Sequence, residues 1–283
     1  MKWNTLNING QLLTLERPLV MGILNVTPNS FYEASRMQSE CEVAVGVERL
    51  LSEGADIIDV GACSTRPDAE IVTAEEETER LRMGLQALRK VSPHSLVSVD
   101  TFRADVARMC VEEYGVGIVN DISGGTFDKE MFATVAKLRT PYILMYMQGE
   151  VHNMHHQHSY TDVTADTIKA LAMKVAELQH MGVHDIILDP GFGFSKTVEQ
   201  NYELMAHLDD FQVFELPLLV GVSRKSMIWR LLDIRPEEAL NGTTALHMAA
   251  LERGADILRV HDVKPAVEAV RIFEELTKYQ STK

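Results

Sequence analysis

GADIIDVG (residues 54–61) is echoed by GADILRVH (254–261) near the far end of the chain. Each copy follows the apolar end of a helix-like segment and opens on a glycine of the kind found just past a helix C-terminus. Each then runs into a short hydrophobic stretch of strand character. Outward from these two copies, the same helix-then-strand unit fills the chain. Short apolar runs recur at LVMGIL (19–24), DIIDVG (56–61), SLVSVD (95–100), GIVNDI (117–122), YILMYM (142–147), DIILDP (185–190), PLLVGV (217–222) and DILRVH (256–261). The segments between them, such as CEVAVGVERLLSEG and TADTIKALAMKVAELQHMG, space their apolar residues as helices do. Eight strands alternating with helices within 283 residues predict an α/β fold, a (β/α)8 barrel. A doubly wound open sheet is the alternative. It ordinarily carries a Gly-rich nucleotide turn after its first strand, where this chain has Asn25-Val26-Thr27-Pro28. Ahead of the first strand, Asn9-Gly10 signals a short N-terminal hairpin over residues 3–16, expected to cover the bottom of the barrel. No low-complexity linker divides the chain, so residues 1–283 read as one domain.

Apolar residues make up 46% of the chain and charged ones 24%, the balance of a globular protein. A net charge of −14 argues against a general binder of nucleic acid or of anionic membranes. An anionic ligand would need a local positive island. Cys41, Cys63 and Cys110 are far apart and form no CxxC pair, which suits a reducing compartment. The N-terminal MKWNTLNINGQLLTLERPL lacks the apolar run of a signal peptide, and no stretch approaches a membrane span. The expectation is a soluble cytoplasmic protein with no nucleic-acid or membrane partner. The 14 methionines read mostly as core filling.

Almost every apolar run ends in something polar: Asn25, Asp59, Asp100, Asn120 with Asp121, Asp189, Ser223, and Arg259 with His261. In a (β/α)8 barrel such positions line the C-terminal mouth, where active sites lie. Any one of them could simply cap the next helix or turn, but seven ends with the same habit point to one polar mouth. Arg259 and His261 are two apart, so a strand puts both on one face. Two potential cations on the face of an apolar strand are costly unless something negative meets them. Asp100, Asn120 and Asp189 offer acceptors suited to the amino and ring N–H groups of a flat heterocycle. Lys225, Arg259 and His261 offer donors and positive charge suited to an anion, phosphate above all for arginine. A ligand with a heterocyclic head and a phosphate tail would match both halves.

Two loops add to this. In GVSRKSMIWRLL, Ser223-Arg224-Lys225-Ser226 stands between a strand and a helix start, where free N–H groups and the Ser226 hydroxyl could receive an anion. The plainer reading is an ordinary N-cap with solvated Arg224 and Lys225. In DPGFGFSKT, two glycines let backbone approach a ligand while Phe194 supplies a ring wall. The cluster His152, His155, His156 and His158 lacks a metal-ligand spacing and reads as a solvated loop.

These residues resemble the dihydropteroate synthase family of the folate pathway, within the pterin-binding superfamily. The resemblance rests on MGILNVTPNSF (21–31), DIIDVGACSTRP (56–67), SVDTF (98–102), IVNDISGG (118–125), ILDPGFGFSKT (187–197), VGVSRKSMI (220–228) and GTTALHMAALERGADILRVHDVK (242–264), and so spans nearly the whole chain. It implies a pterin-binding (β/α)8 barrel. Such an enzyme, an alkyl transferase, joins 6-hydroxymethyl-7,8-dihydropterin diphosphate to 4-aminobenzoate, with Mg²⁺ assisting, and gives 7,8-dihydropteroate and pyrophosphate. By resemblance, Arg259, His261 and Asn25 would hold the diphosphate, with Asn25 close to the Mg²⁺. Asp100, Asn120 and Asp189 would grip the pterin edge, with Lys225 on its polar atoms. Ser226 and its helix would receive the carboxylate of 4-aminobenzoate, in a pocket shaped by Thr65, Arg66, Pro67 and Phe194. The family is commonly dimeric, so a homodimer is expected.

Departures from the family pattern fall mainly in the first two loops. Asn29 stands where Asp is usual, and Tyr32-Glu33-Ala34-Ser35 where Ser-Asp-Gly-Gly is usual. Cys63 stands where Glu is usual, either as a reactive thiol or as a small packed residue, and Tyr146 where His is common. Two other readings share the acidic half of the mouth. One is a methyltetrahydrofolate-dependent methyltransferase, which would not need SRKS or the Arg259–His261 pair. The other is a non-catalytic pterin-binding paralogue.

Overall fold

Residues two apart in a strand share a face, and that parity organises this molecule. The computed structural model describes residues 4–26, 40–63, 72–149 and 159–280. Eight parallel strands form the centre: β3 (Leu19–Asn25), β4 (Ile57–Gly61), β5 (Leu96–Asp100), β6 (Ile118–Asp121), β7 (Tyr142–Met145), β8 (Ile186–Asp189), β9 (Leu219–Val220) and β10 (Ile257–Val260). Their spatial order is β8-β7-β6-β5-β4-β3-β10-β9. A parallel bridge between Leu188 and Leu218 then brings the two ends of the sheet together. The barrel therefore closes, and the open doubly wound sheet is excluded. Around it lie helices α1 (Glu40–Glu53), α2 (Ala74–Val91), α3 (Ala104–Tyr114), α4 (Met131–Leu138), α5 (Val163–His180), α6 (Val198–Ala206), α7 (Ser226–Leu232), α8 (Leu240–Glu252) and α9 (Val263–Gln280).

One parity faces the helices. Val20, Leu24, Ile58, Val60, Val97, Val99, Leu144, Leu188, Leu258 and Val260 join the helices' apolar faces in one buried cluster. The other parity faces the barrel interior. At the bottom it is apolar: Met21, Ile57, Ile118, Ile143, Ile187, Leu219 and Ile257 form a single plug. The hairpin of β1 (Asn4–Ile8) and β2 (Gln11–Leu15) closes this end, adding Leu6 and Leu15 to the plug. Its turn residues, Asn9 and Gly10, both have positive φ (50° and 83°), the conformation that an Asn-Gly hairpin turn is chosen for. The Asn7 N–H donates to Asp185 Oδ1 at 2.8 Å, fastening the hairpin to the barrel. Leu6 is 1% exposed, so Leu6→Ala should destabilise the protein by about 3 kcal/mol, as other buried leucine truncations do. Urea unfolding checks this, and a loss below about 1 kcal/mol would show that the hairpin is not part of the core.

Among the described residues no helix is long and apolar enough to cross a membrane.

Candidate active site

Above the apolar plug, the inward parity turns polar. The next inward positions are Asp59 on β4, Ser98 on β5, Asn120 on β6, Asp189 on β8 and Arg259 on β10, with Asn25 and Asp100 at the strand ends above. Arg259 is the hub. Its Nε donates to Asp59 Oδ2 at 2.7 Å and its Nη2 to Asp100 Oδ2 at 2.5 Å. Asn120 Nδ2 also donates to Asp59 Oδ2, at 3.1 Å. Asp59 is wholly buried, while Arg259 and Asp100 remain partly open. The negative partners that Arg259 requires are thus supplied in part by the barrel itself. The resemblance assigned Asp59 no role, although it shares its face with Gly61 at the mouth.

The charges perturb one another. Three carboxylates (Asp59, Asp100, Asp189) face two cations (Arg259, Lys225). Burial pushes Asp100 up to about 7 against the pull of Arg259, with Asp59 adding to the rise. Burial would lower Arg259, but Asp59 and Asp100 outweigh it and leave the guanidinium more firmly charged than usual. Burial raises Asp189 as well, opposed chiefly by Lys225. His261 is pushed down to about 4, by burial first and by Arg259 second. Without an anion beside it, burial and Arg259 thus favour its neutral form. Its Nδ1 lies 3.3 Å from Ser223 Oγ, which also accepts from the His261 backbone N–H at 3.2 Å.

Lys225 reaches over the loop after β8. Its Nζ donates to the Phe192 carbonyl and sits 4.8 Å from the centre of the Phe194 ring. Burial lowers it to about 8 although Asp189 pulls the other way. Glycines make this contact possible. A Cβ on Gly193 would stand 2.8 Å from Lys225 Cδ. A Cβ on Gly191, where φ is +74°, would stand 1.9 Å from the Tyr146 carbonyl oxygen. Asp189 Oδ1 accepts from the Gly191 N–H at 2.8 Å, which tightens the turn. Lys196, unremarked in the sequence, staples this loop. Its buried Nζ donates to the carbonyls of Pro190 (3.1 Å), Gly191 (3.1 Å) and Phe194 (3.4 Å), and lies 5.1 Å from the Tyr146 ring. Tyr146 is thereby a packing residue, and its hydroxyl accepts from Gln148 Nε2 at 2.9 Å.

The plainer reading of Arg224 and the placing of Asp121 in the mouth both fail. Arg224 is not solvated: its side chain, 9% exposed, makes a bidentate pair with Asp262 at 2.7 and 3.0 Å and donates to the Glu237 carbonyl at 2.6 Å. That frame sets the start of α7, where Lys225 precedes Ser226. Asp121 is not in the mouth. One residue from Asn120, it points the other way and accepts from the Tyr142 hydroxyl (2.7 Å) and the N–H groups of Ser123 and Gly125. It holds the loop after β6 from outside.

Cys63 packs against the cluster of Phe102, Ile122, Met145 and Met147, as Phe194 also does. Burial and then Glu77 push its thiol up to about 11, so it stays protonated, as a packing residue and not a nucleophile. Thr65, Arg66 and Pro67 lie outside the described residues, as do Asn29, Tyr32 to Ser35 and the His152–His158 cluster. Asn25 is half-buried at the rim. A Cβ on Gly61 would stand 3.3 Å from Asn25 Oδ1 and 3.5 Å from Asp100 Cβ, so these groups converge on that glycine. Among the described residues no group of three or more His, Cys, Asp or Glu could hold a metal ion. A single amide oxygen at the rim fits Mg²⁺, which binds protein through few ligands and takes the rest from phosphate and water.

The sequence and the fold were compared with known proteins. The model of the family described as "Pterin binding enzyme" matches residues 21–261. The dihydropteroate synthase of Escherichia coli (strain K12) is 40% identical over 267 residues, covering 94% of each chain. A Yersinia pestis dihydropteroate synthase, solved with a sulfonamide drug complex, superposes with a TM-score of 0.91 at 39% identity, covering 97% of this chain and 100% of that one. A Xanthomonas albilineans dihydropteroate synthase with 4-aminobenzoic acid gives a TM-score of 0.87 at 38% identity, covering 96% and 98%. The family match over residues 21–261 and the 40% identity across 94% of the chain show that it belongs to the dihydropteroate synthase family of pterin binding enzymes.

Proposed function

We infer that the protein is a dihydropteroate synthase, which joins 6-hydroxymethyl-7,8-dihydropterin diphosphate to 4-aminobenzoate and releases pyrophosphate. The observation that carries this is the division of one mouth into acceptors, the buried Asp189 and Asn120 with the partly open Asp100, and a cationic side built on Arg259 and Lys225. The acceptors suit the amino and ring N–H groups of a pterin edge, and Lys225 can donate to its ring acceptors. Arg259 takes the diphosphate, joined by His261 and Asn25. Phe194 and Ser226 at the start of α7 take 4-aminobenzoate, together with Thr65, Arg66 and Pro67.

The chemistry follows from charge. As the C–O bond breaks, negative charge gathers on the leaving diphosphate, and a guanidinium fixed in place stabilises that charge without reorganising. Asn25 would hold Mg²⁺ together with the diphosphate, and the metal would supply Lewis-acid charge to that leaving group. The cation left behind spreads over the pterin, beside the carboxylates of the mouth. The aromatic amine then attacks from an aligned position. His261 adds a hydrogen-bonding imidazole to the anion. We also infer a homodimer in the cytoplasm. Leu231 and Leu232 are exposed on α7, beside α8, whose sequence LNGTTALHMAALE is apolar around much of its circumference.

Lys225 supplies a pH test. Protonated below about 8, it loses its charge and one donor above that pH. The value of kcat/KM for the pterin substrate should therefore fall above about pH 8, since that parameter reports groups of the free enzyme. Lys225→Arg should shift the falling limb beyond pH 9 even if its rate is lower. An unmoved limb would assign the ionisation elsewhere. The activity itself is tested by mass-spectrometric detection of 7,8-dihydropteroate from the two substrates, with a sulfonamide competing against 4-aminobenzoate. No product from folded protein would leave the non-catalytic paralogue.

A further inference from the structure

Arg259 is held from two sides, and the two holds differ. Asp100 stands at the rim and partly open, where a pterin can claim it. Asp59 lies one layer deeper on β4, 0% exposed, out of a ligand's reach. One of its oxygens, Oδ2, accepts both Arg259 Nε at 2.7 Å and Asn120 Nδ2 at 3.1 Å.

We propose that Asp59 is a positioning residue that clamps the diphosphate-binding guanidinium and the pterin-binding amide with one buried carboxylate. The inference rests on the reading of the mouth given above. A guanidinium is planar, so a bond at Nε fixes its plane while the Nη groups stay available to a diphosphate. A pterin that competes for Asp100 Oδ2 would take the Nη2 partner of Arg259. Without Asp59 the guanidinium would then swing on a flexible stem. With Asp59 it stays in register for the leaving group. The same oxygen sets Asn120, because accepting from Nδ2 turns Oδ1 away from Asp59, as an acceptor for a pterin N–H. One carboxylate thus holds the two halves of the substrate at a fixed spacing. Asp59 touches neither half and acts through its two partners.

The test compares wild type with Asp59→Asn, which keeps the shape and removes the charge. For the variant, kcat should fall about 100-fold, the scale of a misplaced group near the chemistry. Affinity for inorganic pyrophosphate, by calorimetry, should fall about tenfold, with KM for 4-aminobenzoate unchanged. A merely structural role would lower the melting temperature and leave kcat and pyrophosphate affinity of the folded protein as they were, and that result overturns the proposal. Wild type that fails to bind pyrophosphate overturns the reading of the mouth and the proposal together. If Asp59→Asn does not fold, the wild-type protein decides. Its Arg259 Nε–H signal, assigned by its absence from Arg259→Lys, should remain protected from solvent exchange with 6-hydroxymethylpterin and pyrophosphate both bound. Rapid exchange in that complex overturns the proposal.

Discussion

Arg259→Ala should lower the rate of dihydropteroate formation by about 10³-fold or more, the scale for losing a preorganised group aimed at developing negative charge. Binding of a free pterin lacking the diphosphate should weaken far less, within about tenfold, which is about 1.4 kcal/mol. The asymmetry is the informative part. On the proposed reading, Arg259 meets the leaving diphosphate, whereas Asp189, Asn120 and Asp100 hold the pterin edge. The residual effect on pterin binding has a definite source. Arg259 neutralises Asp59 and Asp100 at 2.7 and 2.5 Å, and its removal leaves a buried carboxylate without its cation. Breaking such a pair costs about 3–5 kcal/mol of stability, so the variant should also melt earlier. Steady-state kinetics beside calorimetric titration with the free pterin make the comparison. An equal loss of turnover and pterin affinity would refute the diphosphate role.

The second large effect falls on the other half of the mouth. Asp189→Asn should weaken binding of the free pterin by about 100-fold, close to 3 kcal/mol, with pyrophosphate affinity nearly unchanged. Asp189 is 6% exposed, and one of its oxygens is already occupied by the Gly191 N–H. On the proposed reading, its other oxygen is the acceptor for the pterin. An asparagine must present an amide in place of that carboxylate. If it keeps its oxygen toward Gly191, it turns N–H groups toward the pterin's own N–H groups, and a donor facing a donor cannot be satisfied. Calorimetry of the variant with pterin and with pyrophosphate in separate titrations checks this. A variant that keeps its pterin affinity would remove Asp189 from the pterin edge.

The barrel was legible because its signals are local. β-Branched runs, glycines past helix ends and the Asn9-Gly10 turn each act over a few residues, and the helix-then-strand unit repeats. Parity likewise placed Arg259 and His261 together in the mouth. What escaped reading depends on closure. Asp59 and Arg259 are 200 residues apart and meet only because β4 and β10 both flank β3. Asp121 was grouped with Asn120, although period-two alternation already sends neighbours to opposite faces. The plainer reading of Arg224 as solvated, and the counting of His261 as a potential cation, came from residue type alone. Asp262 pairing buries the first, and desolvation pushes the pKa of the second down. Lys196 finds its partners in three carbonyls of a turn, which no side-chain pattern announces.

The central claim is that one mouth binds both substrates and expels pyrophosphate between them. It is tested most directly by following pyrophosphate release from 6-hydroxymethyl-7,8-dihydropterin diphosphate with Mg²⁺, with and without 4-aminobenzoate. Release that depends on 4-aminobenzoate, with 7,8-dihydropteroate formed mole for mole, is the predicted result. Tight pterin binding with no pyrophosphate released under either condition would contradict it.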